Sequence, residues 1–156
     1  MADRAPATIE IGGALPQVHV PELTKIITQE SVWIDWEDTE FSPAHLLRDQ
    51  PLSLVAYEVA WGMFHYLEAF CLEHGLPYVR WNGSCRGSFG ARRTVFDGVN
   101  TVRTFVADDE DQILISLADI RSLGTIEAIE QHFAAADLTV PPLRITAPDG
   151  AGQEEE

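Results

Sequence analysis

Three observations predict an α+β fold: period-two hydrophobic alternation after Pro77, a long apolar stretch over 51–74 closed by Gly75, and helix-cap residues at Ser42, Ser116 and Thr125. The expected architecture is a small antiparallel meander of three to four strands, packed on one long central helix with short flanking helices. Residues 8–11 alternate as a short strand ahead of Gly12-Gly13. Pro21 stands where a first helical residue tolerates proline, so a helix is expected from there to Glu30. In 31–36, Val32, Ile34 and Trp36 alternate with Ser31, Trp33 and Asp35, which predicts a strand. Ser42-Pro43 is an N-cap followed by a proline at the first helical position, and the short helix it opens is interrupted by Pro51.

Over 51–74, Leu54, Val55, Val59, Trp61, Phe64, Leu67, Phe70 and Cys71 cover a wide helical arc, so this stretch is read as the core helix. Glu58, Gly62, His65 and Glu68 would then share its remaining stripe. Beyond Pro77, β-formers predict strands at 78–81, 93–96 and 99–106, with Asp97-Gly98 as a hairpin signal. The acidic turn 108–111 leads into a returning strand at 112–115. Ser116 with Asp119 approaches a capping box, Gly124 stops that helix, and Thr125 caps another to Ala136. In 138–145, Pro141-Pro142 confines any strand to an edge. One domain is expected over 1–146, followed by a disordered acidic tail at 147–156.

The 156 residues include 10 Lys+Arg against 25 Asp+Glu, a formal charge of −15. Such a surface repels phosphates, which argues against direct nucleic-acid or anionic-membrane binding. The N-terminus, MADRAPATIEIGG, lacks the basic start and apolar run of a secretory signal, so a cytoplasmic location is expected. Cys71 and Cys85 have no CxxC spacing and are read as reduced thiols. Glu58, His65 and Glu68 inside the longest apolar run argue against a membrane span.

Charge is segregated along the chain. Arg80, Arg86, Arg92, Arg93 and Arg103 face only Asp97 between positions 80 and 103, a local net of +4. Gly83, Gly87 and Gly90 with Ser84 and Ser88 lie among them, and small residues beside arginines suit a cradle for a phosphate or carboxylate. Arg80, Ser84, Cys85, Arg86, Arg92 and Arg93 are therefore one candidate ligand site, for an anion or phosphorylated small molecule. The segment has neither a P-loop lysine nor the strand-turn-helix order of a dinucleotide fold, and Gly87-Ser88-Phe89-Gly90 matches a KH loop by letters alone. The ordinary reading is that these arginines pair with Asp35, Glu37, Asp38, Glu40 or the 108–111 cluster on neighbouring strands and loops. Cys85 beside Arg86 would be a nucleophile only if a histidine reached it. His65 and Glu68 stand in the reverse of a di-iron order, and His74 is accounted for by the C-terminal helix dipole, so no metal and no cofactor are expected.

The second candidate surface is WIDWEDTEF, which interleaves Asp35, Glu37, Asp38 and Glu40 with Trp33, Trp36 and Phe41. Aromatic anchors beside steering carboxylates suit a basic partner. Together with Asp108, Asp109, Glu110 and Asp111, this surface predicts a small acidic cytosolic protein that binds a basic macromolecular surface, such as a nucleic-acid-handling protein. It would act as an inhibitor or anti-defence protein, by occlusion or nucleic-acid mimicry. A subunit of a larger assembly with an exposed apolar stripe is a third reading.

Overall fold

The computed structural model describes residues 2–147. The predicted tail lies outside the described residues except for Ala147. An α+β architecture is present: a five-stranded antiparallel sheet, a two-stranded parallel one, and four α-helices. The strands are β1 (Arg4–Ile11), β2 (Gly13–Pro16), β3 (Leu52–Ala60), β4 (Tyr78–Asn82), β5 (Arg92–Phe96), β6 (Arg103–Val106) and β7 (Leu143–Thr146). The helices are α1 (Val20–Glu30), α2 (His65–His74), α3 (Leu117–Leu123) and α4 (Ile126–Ala136). Order in the main sheet is β3-β1-β4-β5-β6.

The largest departure from expectation is the central helix, which is two elements. Residues 52–60 form β3 and only 65–74 are helical. Leu52, Leu54 and Ala56 face the core while Ser53 and Tyr57 face out, a period of two that the run of apolar residues conceals. Trp61 and Gly62 break the chain with φ of 58° and 68°. A Cβ at Gly62 would stand 2.7 Å from Asn82 Cβ, so glycine is demanded there by both conformation and space. The path from β3 through α2 to β4 crosses over β1, which lies between the two strands and runs antiparallel to both.

Three further expectations are corrected. Residues 31–36 form no strand: Trp33 alone bridges Val55 at the β3 edge, with both N–H groups donating at 2.8 Å. The strand expected over 99–106 begins only at Arg103, because Asp97 Oδ1 accepts the N–H groups of Val99 and Asn100 and folds 97–102 into a loop. Residues 112–115 make a single bridge, Ala107 to Ile113, in place of a strand. The meander is therefore β4-β5-β6, and β1 and β3 complete the sheet.

One face of the sheet carries Ile9, Ile11, Leu54 and Tyr78 against Leu23 and Ile27 of α1 and Leu67 and Phe70 of α2, all of them buried. Gly12 turns β1 into β2, which pairs with β7. A side chain there would meet the Pro141 carbonyl at 1.9 Å. On the other face α4 covers only the β5-β6 half, where Ala136 and Leu138 pack on Val95 and Phe105. The helix caps are as the sequence predicts: Ser116 accepts the Asp119 N–H at 3.1 Å and Thr125 that of Ala128 at 3.0 Å.

Candidate functional site

Cross-strand register decides which side of the sheet each candidate residue serves. Val55, Thr8, Trp81 and Arg93 are successive partners across β3, β1, β4 and β5, and so share the outer face. Leu54, Ile9, Arg80 and Thr94 form the next row, on the core face. Arg80 and Arg93 therefore point to opposite faces of the sheet, and each meets its own internal partners.

Arg80 is 4% exposed and lies inside the core. Its guanidinium donates to the Gly62 carbonyl and the Thr94 hydroxyl, each at 2.6 Å. Its Nε sits 3.3 Å from Glu68 Oε2, a charge contact without hydrogen-bond alignment. Glu68, 6% exposed, also accepts the Phe64 N–H at 2.7 Å and the Tyr78 hydroxyl at 3.2 Å. Burial pushes the Glu68 carboxyl up, opposed by the Arg80 charge, and burial lowers Arg80. The network ties the 61–64 turn to α2, β4 and β5. Glu58 is exposed on β3, His65 opens α2 at the surface and Glu68 is buried, so the stripe expected for one helix does not exist.

Arg93 is likewise consumed. It donates to Asp111 Oδ1 at 2.9 Å, to the Asp111 carbonyl at 2.7 Å and to the Ala136 carbonyl at 2.9 Å. Ser84 gives its N–H and hydroxyl to Asp109. The backbone donors that a cradle would need are also engaged: Gly83 N–H with Pro6, Cys85 N–H with Phe89, and the Ser88 and Phe89 N–H groups with Cys85. Cys85 is half-buried in this tight loop, while burial in the core pushes the Cys71 thiol up. Arg86 is exposed, and Arg92 lies 5.3 Å over the Phe89 ring. Of the four candidate arginines, these two alone keep guanidinium groups that the described side chains do not bind by hydrogen bond or ion pair.

The acidic candidates divide in the same way. Asp35 accepts the Glu37 and Thr39 N–H groups and the Thr39 hydroxyl, which holds its carboxyl below the usual range. Asp108 accepts the Glu110 and Gln112 N–H groups, Asp109 holds Ser84, and Asp111 holds Arg93. Asp38 adopts φ of 64°, and its charge helps raise the Tyr57 phenol, after desolvation. Glu37, Glu40 and Glu110 are exposed and make no side-chain hydrogen bond or ion pair among the described residues. Beside them, Trp36 is 43% exposed and packs edge-on against Tyr57 at 5.2 Å, and Tyr57 donates its hydroxyl to the Trp36 carbonyl. Trp33 is half-buried, pinned by its bridge to β3.

The two acidic segments bracket the open part of the outer face. One hangs on Val55 at the β3 edge, and the other is pinned by Trp81 Nε1, which donates to the Asp108 carbonyl at 3.0 Å. Trp33, Val55, Thr8 and Trp81 are successive partners across the sheet, so roughly three strand spacings of 4.8 Å, about 14 Å, separate the backbones of Trp33 and Trp81, the residues to which the two segments are tied. On this face a cavity of about 400 Å³ is lined by Val55, Val79 and Trp81 together with Glu10, Arg93, Asp111 and Asp137.

Three features were missed in the sequence. Glu30 Oε2 accepts the Tyr66 and Leu67 N–H groups and so caps α2 from the end of α1. His19, Glu22 and His74 converge where α1 meets α2 and offer donor atoms for a metal ion within 4.8 Å of one another. Leu114, Leu117, Ile120, Ile126 and Phe133 leave an exposed apolar surface along α3 and α4, and α3 buries none of its residues. No family model, curated protein or solved structure matches the chain. Among the described residues no helix is long and apolar enough to cross a membrane.

Proposed function

We propose that the chain is an acidic interaction protein that docks a basic surface of a macromolecular partner, such as a nucleic-acid-handling protein, and acts by occluding it. One observation carries this reading. Arg80, Arg93 and the N–H groups of Gly83, Ser84, Cys85, Ser88 and Phe89 are spent inside the fold, whereas Glu37, Glu40 and Glu110 project outward. Two of the four candidate arginines thereby serve the fold, and the unengaged acids at both acidic segments are left for contact. Trp36 and Tyr57 supply a rigid aromatic anchor at one acidic segment, and the Val55, Val79 and Trp81 floor adds apolar area beside it. Glu10, Asp111 and Asp137 at the cavity, where Asp111 is engaged by Arg93, and the exposed Glu37, Glu40 and Glu110 steer a cationic segment toward this face.

The test is the affinity for an arginine- and lysine-rich peptide at low and high salt, measured for the native chain and for Glu37→Lys/Glu40→Lys/Glu110→Lys. Binding that weakens with salt and disappears in the triple variant supports the reading. Binding that the charge reversals leave intact would overturn it.

A second reading, a subunit of a larger assembly, is favoured by the apolar surface of α3 and α4. A seven-residue helix with no buried residue gains little from packing within its own chain. Light scattering across a concentration series tests it: a mass of 17.3 kDa at every concentration counts against self-association.

A further inference from the structure

We infer that His19, Glu22 and His74 form a site for a divalent transition-metal ion, Zn²⁺ in the first instance, that fastens α1 to α2. The three residues come from different places. His19 ends the short 3-10 turn before α1, Glu22 lies in the first turn of α1, and His74 is the last residue of α2. Their donor atoms lie within 4.8 Å of one another. In a tetrahedral Zn²⁺ site with bonds of about 2.0–2.1 Å, ligand atoms stand about 3.3 Å apart, so side-chain rotation alone closes the set.

A second, independent observation points the same way. His74 Nε2 is shielded from solvent and has no hydrogen-bond partner among the described residues. It faces two carboxylates that stop short of it, Glu22 Oε1 at 4.0 Å and Glu73 Oε1 at 3.9 Å. A buried ring nitrogen without a partner is costly, and a cation between it and the carboxylates satisfies all three groups at once. The ring is held in place for this. His74 packs 4.3 Å from the Phe70 ring and 4.3 Å from the His19 ring, so little side-chain entropy remains to be lost on binding.

Two imidazoles and a carboxylate are borderline ligands that suit Zn²⁺ over Mg²⁺ or Ca²⁺, which prefer all-oxygen shells. Glu73 or water completes the fourth position. The site lies on the α1–α2 side of the core and is separate from the acidic docking surface, so the two stand or fall independently.

The test is calorimetric titration of the full chain with Zn²⁺ alone, together with the visible spectrum of the Co²⁺ form and the unfolding midpoint with and without metal. Expected are one Zn²⁺ per chain, tetrahedral Co²⁺ bands and a higher midpoint with Zn²⁺. His19→Gln and Glu22→Gln, neither of them buried, are expected to lose the Co²⁺ bands and the metal-dependent shift while keeping the metal-free midpoint. Absence of stoichiometric binding would overturn the assignment, as would binding and Co²⁺ bands unchanged in both variants, since the ion would then lie elsewhere.

Discussion

Replacing Arg80 by methionine separates a structural arginine from a ligand-binding one. The substitution keeps most of the apolar stem but removes the charge beside Glu68, the donors to Gly62 and Thr94, and nothing on the surface. Breaking a buried pair by deleting one partner costs about 3–5 kcal/mol, because the other charge stays buried without compensation. For a chain of this length, each kcal/mol moves the midpoint by about 2–4 °C, so a fall of about 6–20 °C is expected. Glu68 already has a raised carboxyl, and losing Arg80 raises it further. Protonation then relieves the orphaned charge, so the variant's deficit is smaller at acid than at neutral pH. Arg80→Met/Glu68→Gln removes both charges while keeping an acceptor for the Phe64 N–H, and is expected to recover at least half the loss. Exposed Arg86→Met serves as the control and stays within about 0.5 kcal/mol of the native chain. Thermal and urea unfolding from pH 5 to 8 read all four proteins. An Arg80→Met chain as stable as the native one would refute the reasoning and return Arg80 to the candidate ligand site.

Gly62→Ala forces a left-handed conformation on an L-residue and presses its Cβ onto Asn82, so it is expected to cost at least about 1–2 kcal/mol by urea unfolding. Glu30→Ala strips the cap from α2 and is expected to cost about 1 kcal/mol, with faster amide exchange at Tyr66 and Leu67. Asp35 and Asp97 are held below their usual 3.8 by the Thr39 hydroxyl and by the Asn100 N–H as leading causes. A lowered folded value means that their stabilisation is present above 3.8 and is lost as pH falls through the folded values. NMR titration should find both midpoints below 3.8, and Asp35→Asn/Asp97→Asn should flatten the acid limb of the stability curve.

What was legible in the sequence was local chemistry. Ser116, Gly124 and Thr125 mark helix ends because capping depends on a few consecutive residues, and Asp97-Gly98 marks the turn between β5 and β6 for the same reason. The division of 51–74 was not legible. An apolar run at the centre of a sheet and an apolar arc of a helix share the same letters, and Gly62 was the one residue that signalled the break. The strand expected at 31–36 failed because Asp35 bonds the backbone of Glu37 and Thr39 and turns the chain after a single bridge. At the candidate sites, the sequence offered the 108–111 cluster among the partners of the arginines, and Arg93 meets Asp111 there, but Glu68 was not foreseen as the partner of Arg80. Arg80 and Glu68 lie on β4 and α2 and meet only through the way these two elements pack. His19 and His74 are far apart in the chain and meet only through the packing of α1 on α2.

The central claim is that the acidic pole, and not the arginine segment, makes the functional contact. Amide NMR mapping with two titrants, an arginine- and lysine-rich peptide and inorganic phosphate, addresses it directly. Shifts at Trp36, Glu37, Glu40, Tyr57 and Glu110 and along the Val55, Val79 and Trp81 floor with the peptide, and none at 84–93 with phosphate, are the predicted result. Saturable shifts at Arg86 and Arg92 with phosphate, and none at the acidic segments with the peptide, would contradict it.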